Sequence, residues 1–175
     1  MAERYSLQIA SSDFNFEQFE TDDPILNGRQ IIEFLNARPV DEYLVFKLLP
    51  NGGCEEIRLE GTVELESSQD NQFLIFASDK SFRFSIDDLR IEWGDRQITA
   101  QSVFRIAKMD ANAFDLFLER QSEADIRLTF DEQIDLAQAG VEKFYTKQKH
   151  TSEIAILVNG RERKVDVSSP QFQCH

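Results

Sequence analysis

The sequence predicts an α+β fold: two tandem modules, then a C-terminal β-hairpin or tail. Three observations predict it. The apolar pattern that opens at Tyr5-Ser-Leu-Gln-Ile9 opens again at Phe82-Arg-Phe-Ser-Ile86, so residues 5–149 read as one pattern written twice. Each copy holds one stretch of helical spacing among several stretches of period two. Each copy also lasts about 70 residues, close to the smallest self-sufficient domains. The expected organisation is a first module over 1–80, a second over 81–149 and a tail over 150–175.

The first copy begins with Tyr5, Leu7 and Ile9, which alternate with polar residues as in a half-buried strand. Phe14 and Phe16 alternate likewise after a turn at Ser11-Ser12-Asp13, which predicts a hairpin. Asp22-Asp23-Pro24-Ile25-Leu26-Asn27-Gly28 is rich in turn and capping residues. From Gly28 to Asn36, Ile31, Ile32 and Leu35 stand at helical spacing, with Asn27 as the N-cap. Pro39 closes this helix, because proline disfavours helical geometry in the residue before it. Leu44, Phe46 and Leu48 predict a third strand, Pro50-Asn51-Gly52-Gly53 a turn, and 57–59, 63–65 and 73–76 short strands. The second copy repeats the order, with a helix at 100–108 and strands at 114–118, 126–128, 134–136 and 142–146. A hairpin first and one helix across a mixed sheet is a β-grasp arrangement.

Matching the copies requires one choice of register. Tyr5, Leu7 and Ile9 align with Phe82, Phe84 and Ile86, and Phe14 and Phe16 with Leu89 and Ile91. In the middle strand an offset of 71 pairs Leu44 with Asp115 and puts the apolar residues of the copies on opposite faces. An offset of 70 pairs Leu44, Phe46 and Leu48 with Phe114, Leu116 and Leu118 and keeps the faces alike, so it is preferred.

Asp23-Pro-Ile-Leu-Asn-Gly-Arg-Gln-Ile-Ile-Glu-Phe-Leu35, followed by Asp41-Glu-Tyr-Leu-Val-Phe46, resembles the bacterial multi-ubiquitin domain family of tandem ubiquitin-like β-grasp modules. The resemblance covers both copies. The second has Ile98-Thr-Ala-Gln-Ser-Val-Phe-Arg-Ile-Ala107 in the same place, with Gln101 where the glycine falls. It implies a ubiquitin-like protein modifier, activated at its C-terminus and conjugated to target proteins. It implies as partners homologues of an activating enzyme, a conjugating enzyme and a metalloprotease-type deconjugating enzyme. Several such bacterial systems act in antiphage defence. A modifier usually finishes in terminal glycines, whereas this sequence finishes Ser169-Pro-Gln-Phe-Gln-Cys-His175. Gln173, Cys174 and His175 are then the expected conjugation tail, unless a protease trims the precursor. In ubiquitin-like folds the strand at 43–48 often presents a small apolar patch. Tyr43, Val45 and Lys47, which alternate with Leu44, Phe46 and Leu48, are the candidate partner contacts. Single exposed apolar residues at these positions would need no explanation.

Glu153 to Val167 reads as a further hairpin around Asn159-Gly160, a type I′ turn signal. It also resembles the opening of a third module. Two readings stand: a hairpin that docks on the second module or extends its sheet, or an exposed strand captured by a partner through edge addition.

Composition narrows the function classes. A 41% hydrophobic share with fifteen phenylalanines supports a packed core. The net charge is −13, and residues 1–80 carry six basic and sixteen acidic side chains. An acidic front argues against nucleic-acid binding, which relies on phosphate neutralisation by Lys and Arg. No apolar run reaches membrane-spanning length and the N-terminus lacks a signal peptide, so a soluble cytoplasmic protein is expected. Cys54 and Cys174 are too few for a disulfide framework, and with His150 and His175 they do not make ligand spacing for zinc. No P-loop, dinucleotide fingerprint or nucleophile elbow is present, so neither an enzyme nor a cofactor is expected. Trp93 is expected in the core. The alternative to a modifier is a non-covalent adaptor that scaffolds other proteins, since β-grasp modules serve many functions.

Overall fold

The computed structural model describes residues 4–68 and 70–150 in full, and 153–158 and 161–166 as backbone. It contains two sheet-rich units, each with one short helix. In the first, β1 (Tyr5–Ala10), β2 (Glu17–Thr21), β4 (Tyr43–Leu48), β5 (Cys54–Ile57) and β7 (Asn71–Ala77) form one sheet in the order β2-β1-β7-β4-β5. Here β1 and β7 run parallel and every other pair antiparallel. The short strands β3 (Ile25–Asn27) and β6 (Thr62–Glu64) pair beside it. Helix α1 (Gly28–Phe34) starts at Asn27, whose side chain accepts from the Gln30 N–H while the Gln30 side chain accepts from the Asn27 N–H. This reciprocal box satisfies two orphan donors of the first turn. The helix ends earlier than the proline rule predicts, because Asn36 takes a left-handed φ of 53° three residues before Pro39.

The second unit repeats the plan. Its sheet is β12 (Ile126–Leu128), β11 (Phe114–Leu118), β14 (Lys143–Gln148), β8 (Phe82–Ile86) and β9 (Leu89–Trp93), in that order. The side pair is β10 (Gln97–Thr99) with β13 (Gln133–Asp135). Helix α2 (Ala100–Ala107) is capped by the Thr99 hydroxyl, which accepts from the Ser102 N–H. A last hairpin, β15 (Glu153–Val158) with β16 (Arg161–Asp166), pairs Val158 with Arg161 across its end. The Asn159-Gly160 turn itself lies outside the described residues.

Three expectations are corrected. The second hairpin strand is Glu17–Thr21, not the stretch around Phe14 and Phe16. Phe14 sits in the preceding loop at φ 58°, with its ring stacked 6.1 Å from Trp93. It is apolar because it reaches the other unit. The short strand expected at 63–65 is β6 (Thr62–Glu64), displaced by one residue and paired with β3. The register of the middle strand is the third. Lys47 pairs with Phe73, and Leu118 pairs with Phe144. Phe73 and Phe144 each lie beside the first strand of their unit, next to Ile9 and Ile86. Lys47 therefore corresponds to Leu118, an offset of 71. Leu44, Phe46 and Leu48 correspond to Asp115, Phe117 and Glu119, on the opposite face from Leu116 and Leu118.

The physical reason is that the first sheet is apolar on both faces. Leu7, Ile9, Val45, Phe73 and Ile75 pack under α1 with Ile31 and Ile32. Phe46, Leu48, Leu74 and Phe76 point the other way and join the core of the second unit, with Trp93, Phe104 and Ile106. The seam is close. The Phe76 ring lies 4.6 Å from Trp93, and a Cβ on Gly94 would fall 2.5 Å from that ring, so only glycine fits. The Gly53 N–H donates to the Ile106 carbonyl at 2.8 Å. Trp93, expected in the core, is 1% exposed, and its indole N–H donates to the Gln97 carbonyl.

The two units should therefore unfold together. Trp93 is the single tryptophan and sits at the seam, so its fluorescence and far-UV circular dichroism should follow one denaturant transition. Phe76→Ala should lower stability by about 3–5 kcal/mol and move both signals equally. Two separated transitions would show that the seam does not couple the units.

Candidate functional site

The proposed contacts on β4 do not form a surface patch. Val45 is 1% exposed and belongs to the core beneath α1. Tyr43 is half-buried against the same core, and Lys47 is half-buried beside it. The expected exposure of Val45 is thus reversed, because alternation assigns the correct pairs of residues but not which member faces the helix. The other face of β4, read as core alone, is the seam. Gln173, Cys174 and His175 lie outside the described residues.

The open counterpart is on the second unit. Its sheet face away from α2 presents Asp115, Phe117, Arg127, Tyr145 and Lys147, which sequence reasoning did not single out. Phe117 and Tyr145 face each other across β11 and β14, with rings parallel to within 9° and centroids 5.3 Å apart. The Lys147 ammonium lies 4.9 Å from the Phe117 centroid and 5.3 Å from that of Tyr145. A cation over aromatic faces is held electrostatically by their quadrupoles. The Tyr145 hydroxyl donates to Asp125 at 2.7 Å. Arg127 pairs with Asp115 at 2.9 Å, and Arg120 with Glu123. A signal for this face was present: the offset of 71 places Phe117 and Tyr145 opposite the apolar set of their own unit.

The ionisable groups here are tuned by hydrogen bonds. The Arg120 backbone N–H, and next the Tyr145 hydroxyl, hold Asp125 below the usual carboxylate range. The hydrogen bond to Asp125 pushes Tyr145 up. Cys54 is different. Burial at the seam pushes its thiol up to about 12, and its Sγ–H donates to the Glu92 carbonyl at 2.9 Å. That environment favours the neutral thiol, which is the unreactive form. The face of the second unit is thus an aromatic platform bordered by charges of both signs. Its chemistry suits protein contact.

Comparison with known families gives one match. A family model described as Multiubiquitin covers residues 13–69 and 82–149, the bodies of the two units. Comparison with curated proteins found no match.

The hydrogen-bond account of Asp125 has a direct check. Its lowered pKa means that the interaction is present above the ordinary carboxylate value and lost as pH falls through the folded one. Tyr145→Phe removes the second of these two donors and leaves the Arg120 N–H. In a carboxyl-carbon NMR titration the Asp125 midpoint should rise yet stay below the ordinary value. An unmoved midpoint would remove Tyr145 from the explanation.

Proposed function

We propose that this chain, which belongs to the multiubiquitin family, is a ubiquitin-like protein modifier, activated at its C-terminus and conjugated to target proteins. The observation that carries the reading is the family match to both units, each of which has a single capped helix over a mixed sheet. The proposed partners are homologues of an activating enzyme, a conjugating enzyme and a metalloprotease-type deconjugating enzyme. The proposed setting is the cytoplasm of a bacterium, in a ubiquitination-like and antiphage pathway. Neither an enzymatic activity nor a cofactor is part of the proposal. Among the described residues no helix is long and apolar enough to cross a membrane, which accords with a soluble role.

A specific observation favours the adaptor reading as well. The Phe117–Tyr145 platform is a ready protein-contact face on a rigid pair of units, and such a face serves without any covalent step.

Reconstitution with the activating and conjugating enzymes and ATP, followed by intact mass spectrometry, separates the two. The expected product is a covalent adduct through a C-terminal residue, at His175 or at a trimmed position before it. A chain cut after His150 should keep the seam, with unaltered Trp93 fluorescence, and yield no adduct. If verified active enzymes leave the full chain unmodified, the adaptor reading replaces the modifier.

A further inference from the structure

The seam between the units is built from two unlike halves. One is the sheet face of the first unit: Leu44, Phe46, Leu48, Leu74 and Phe76. The other is the side of the second unit where β9 meets the end of α2, with Trp93, Gly94 and Ile106. Unlike halves make a heterologous contact, and repeating one gives a ring where the rotation closes and an open chain of units where it does not. This protein uses each half once. Within the described residues, the second unit's sheet face and the first unit's β2/α1 side have no such module against them.

Strand pairing fixes what occupies the equivalent positions in those unused halves. Leu44 pairs with Phe76 as Asp115 pairs with Lys147, so Lys147 stands where Phe76 stands. Tyr5 pairs with Thr21 as Phe82 pairs with Trp93, so Thr21 stands for Trp93. The next residue, Asp22, then stands for Gly94. The close approach of Phe76 to Gly94 in the internal seam is thus replaced by a lysine on one unused half and an aspartate on the other. The surroundings of Asp22 follow its sign, and those of Lys147 are mixed. Around Asp22 the β2 side carries Glu17 and Glu20 beside the Phe19–Phe34 ring contact at 5.4 Å. Arg4 reaches Asp22 only at 3.8 Å, with both side chains about two-thirds or more exposed, a pair that water largely screens. Around Lys147 stand Lys143, the Phe117–Tyr145 platform and Arg127, which is ion-paired to Asp115, the strand partner of Lys147.

We propose that a second copy of this chain docks there, head to tail, with the second unit's sheet face seated on the β2/α1 side of the next copy's first unit. Lys147 of one copy meets Asp22 of the next, in the relative placement that Phe76 and Gly94 have within one chain. The aromatic platform covers Phe19 and Phe34. The contact is weaker than the seam, because the Phe14 loop that clasps Trp93 has no counterpart in the second unit, where Asp87 and Asp88 alone join β8 to β9. It is reversible and sensitive to salt. It needs no covalent step, so it stands or falls apart from the modifier reading.

Charge exchange tests this in the full chain. Sedimentation of the purified protein up to about 1 mM should show concentration-dependent growth at about 0.05 M salt, diminished at about 0.5 M, where the Debye length is much shorter. Asp22→Lys and Lys147→Asp should each weaken association by about tenfold, as removal of a close interfacial charge pair does. The double variant restores opposite charges between copies and should recover most of the loss. Trp93 fluorescence confirms that each variant keeps the seam. A chain that stays monomeric throughout overturns the proposal, since the charged residues then act only to cap the ends of the pair. Association that the double variant fails to restore overturns it equally.

Discussion

The rest of the structure depends on one constraint: the central strands of the first sheet are apolar on both faces, so two layers must cover them. A sheet with one wet face needs a single helix over it, as the second unit shows with α2. In the first unit α1 covers Val45, Phe73 and Ile75, while Phe46, Leu74 and Phe76 on the reverse are fully or nearly fully buried by the second unit. Exposing those rings and aliphatic chains costs roughly 1.5–3 kcal/mol each. The position of the second unit, the close approach at Gly94, the shape of the Phe14 loop and the burial of Cys54 follow from that requirement.

Much of each unit was legible locally. Asn27 is an N-cap because its oxygen satisfies the first turn, and it precedes a run of helical spacing; the helix at Ala100–Ala107 was legible as the repeat of that element. Strands β1 and β8 alternate cleanly because one of their faces is polar or lightly packed. The errors cluster where that condition fails. In Tyr43–Leu48 five of six residues are apolar or aromatic, so period two carries no signal for which set faces the helix. Phe14 and Phe16 imitate a strand because two apolar residues of a clasp have the same spacing as two of a pleat. The register that seemed wrong, Leu44 against Asp115, was the one trace of the seam in the sequence.

The candidate face was hidden for a related reason. Phe117, Tyr145 and Lys147 stand on strands whose other members belong to an ordinary core, and their pattern reads as solvation until the two units are superposed strand by strand. Then their difference from Phe46, Leu74 and Phe76 becomes informative. The two units share one backbone plan, and they differ at the positions where one forms the seam and the other stands uncovered. Divergence of that kind is invisible to composition, because the net charge sums over both ends.

The seam also bears on how the two units act together. Only Ser78, Asp79, Lys80 and Ser81 join β7 to β8, and the chain enters the second unit beside the ring of Phe76. A cut in that linker would break a covalent bond and leave the apolar contact intact. The units are therefore not beads on a string, to be separated by a protease into interchangeable parts. A partner meets a single body with two unlike ends: an acidic β2 side and an aromatic, lysine-bearing sheet face. Discrimination between ends follows from charge and shape together, since a surface that fits one end presents the wrong sign to the other.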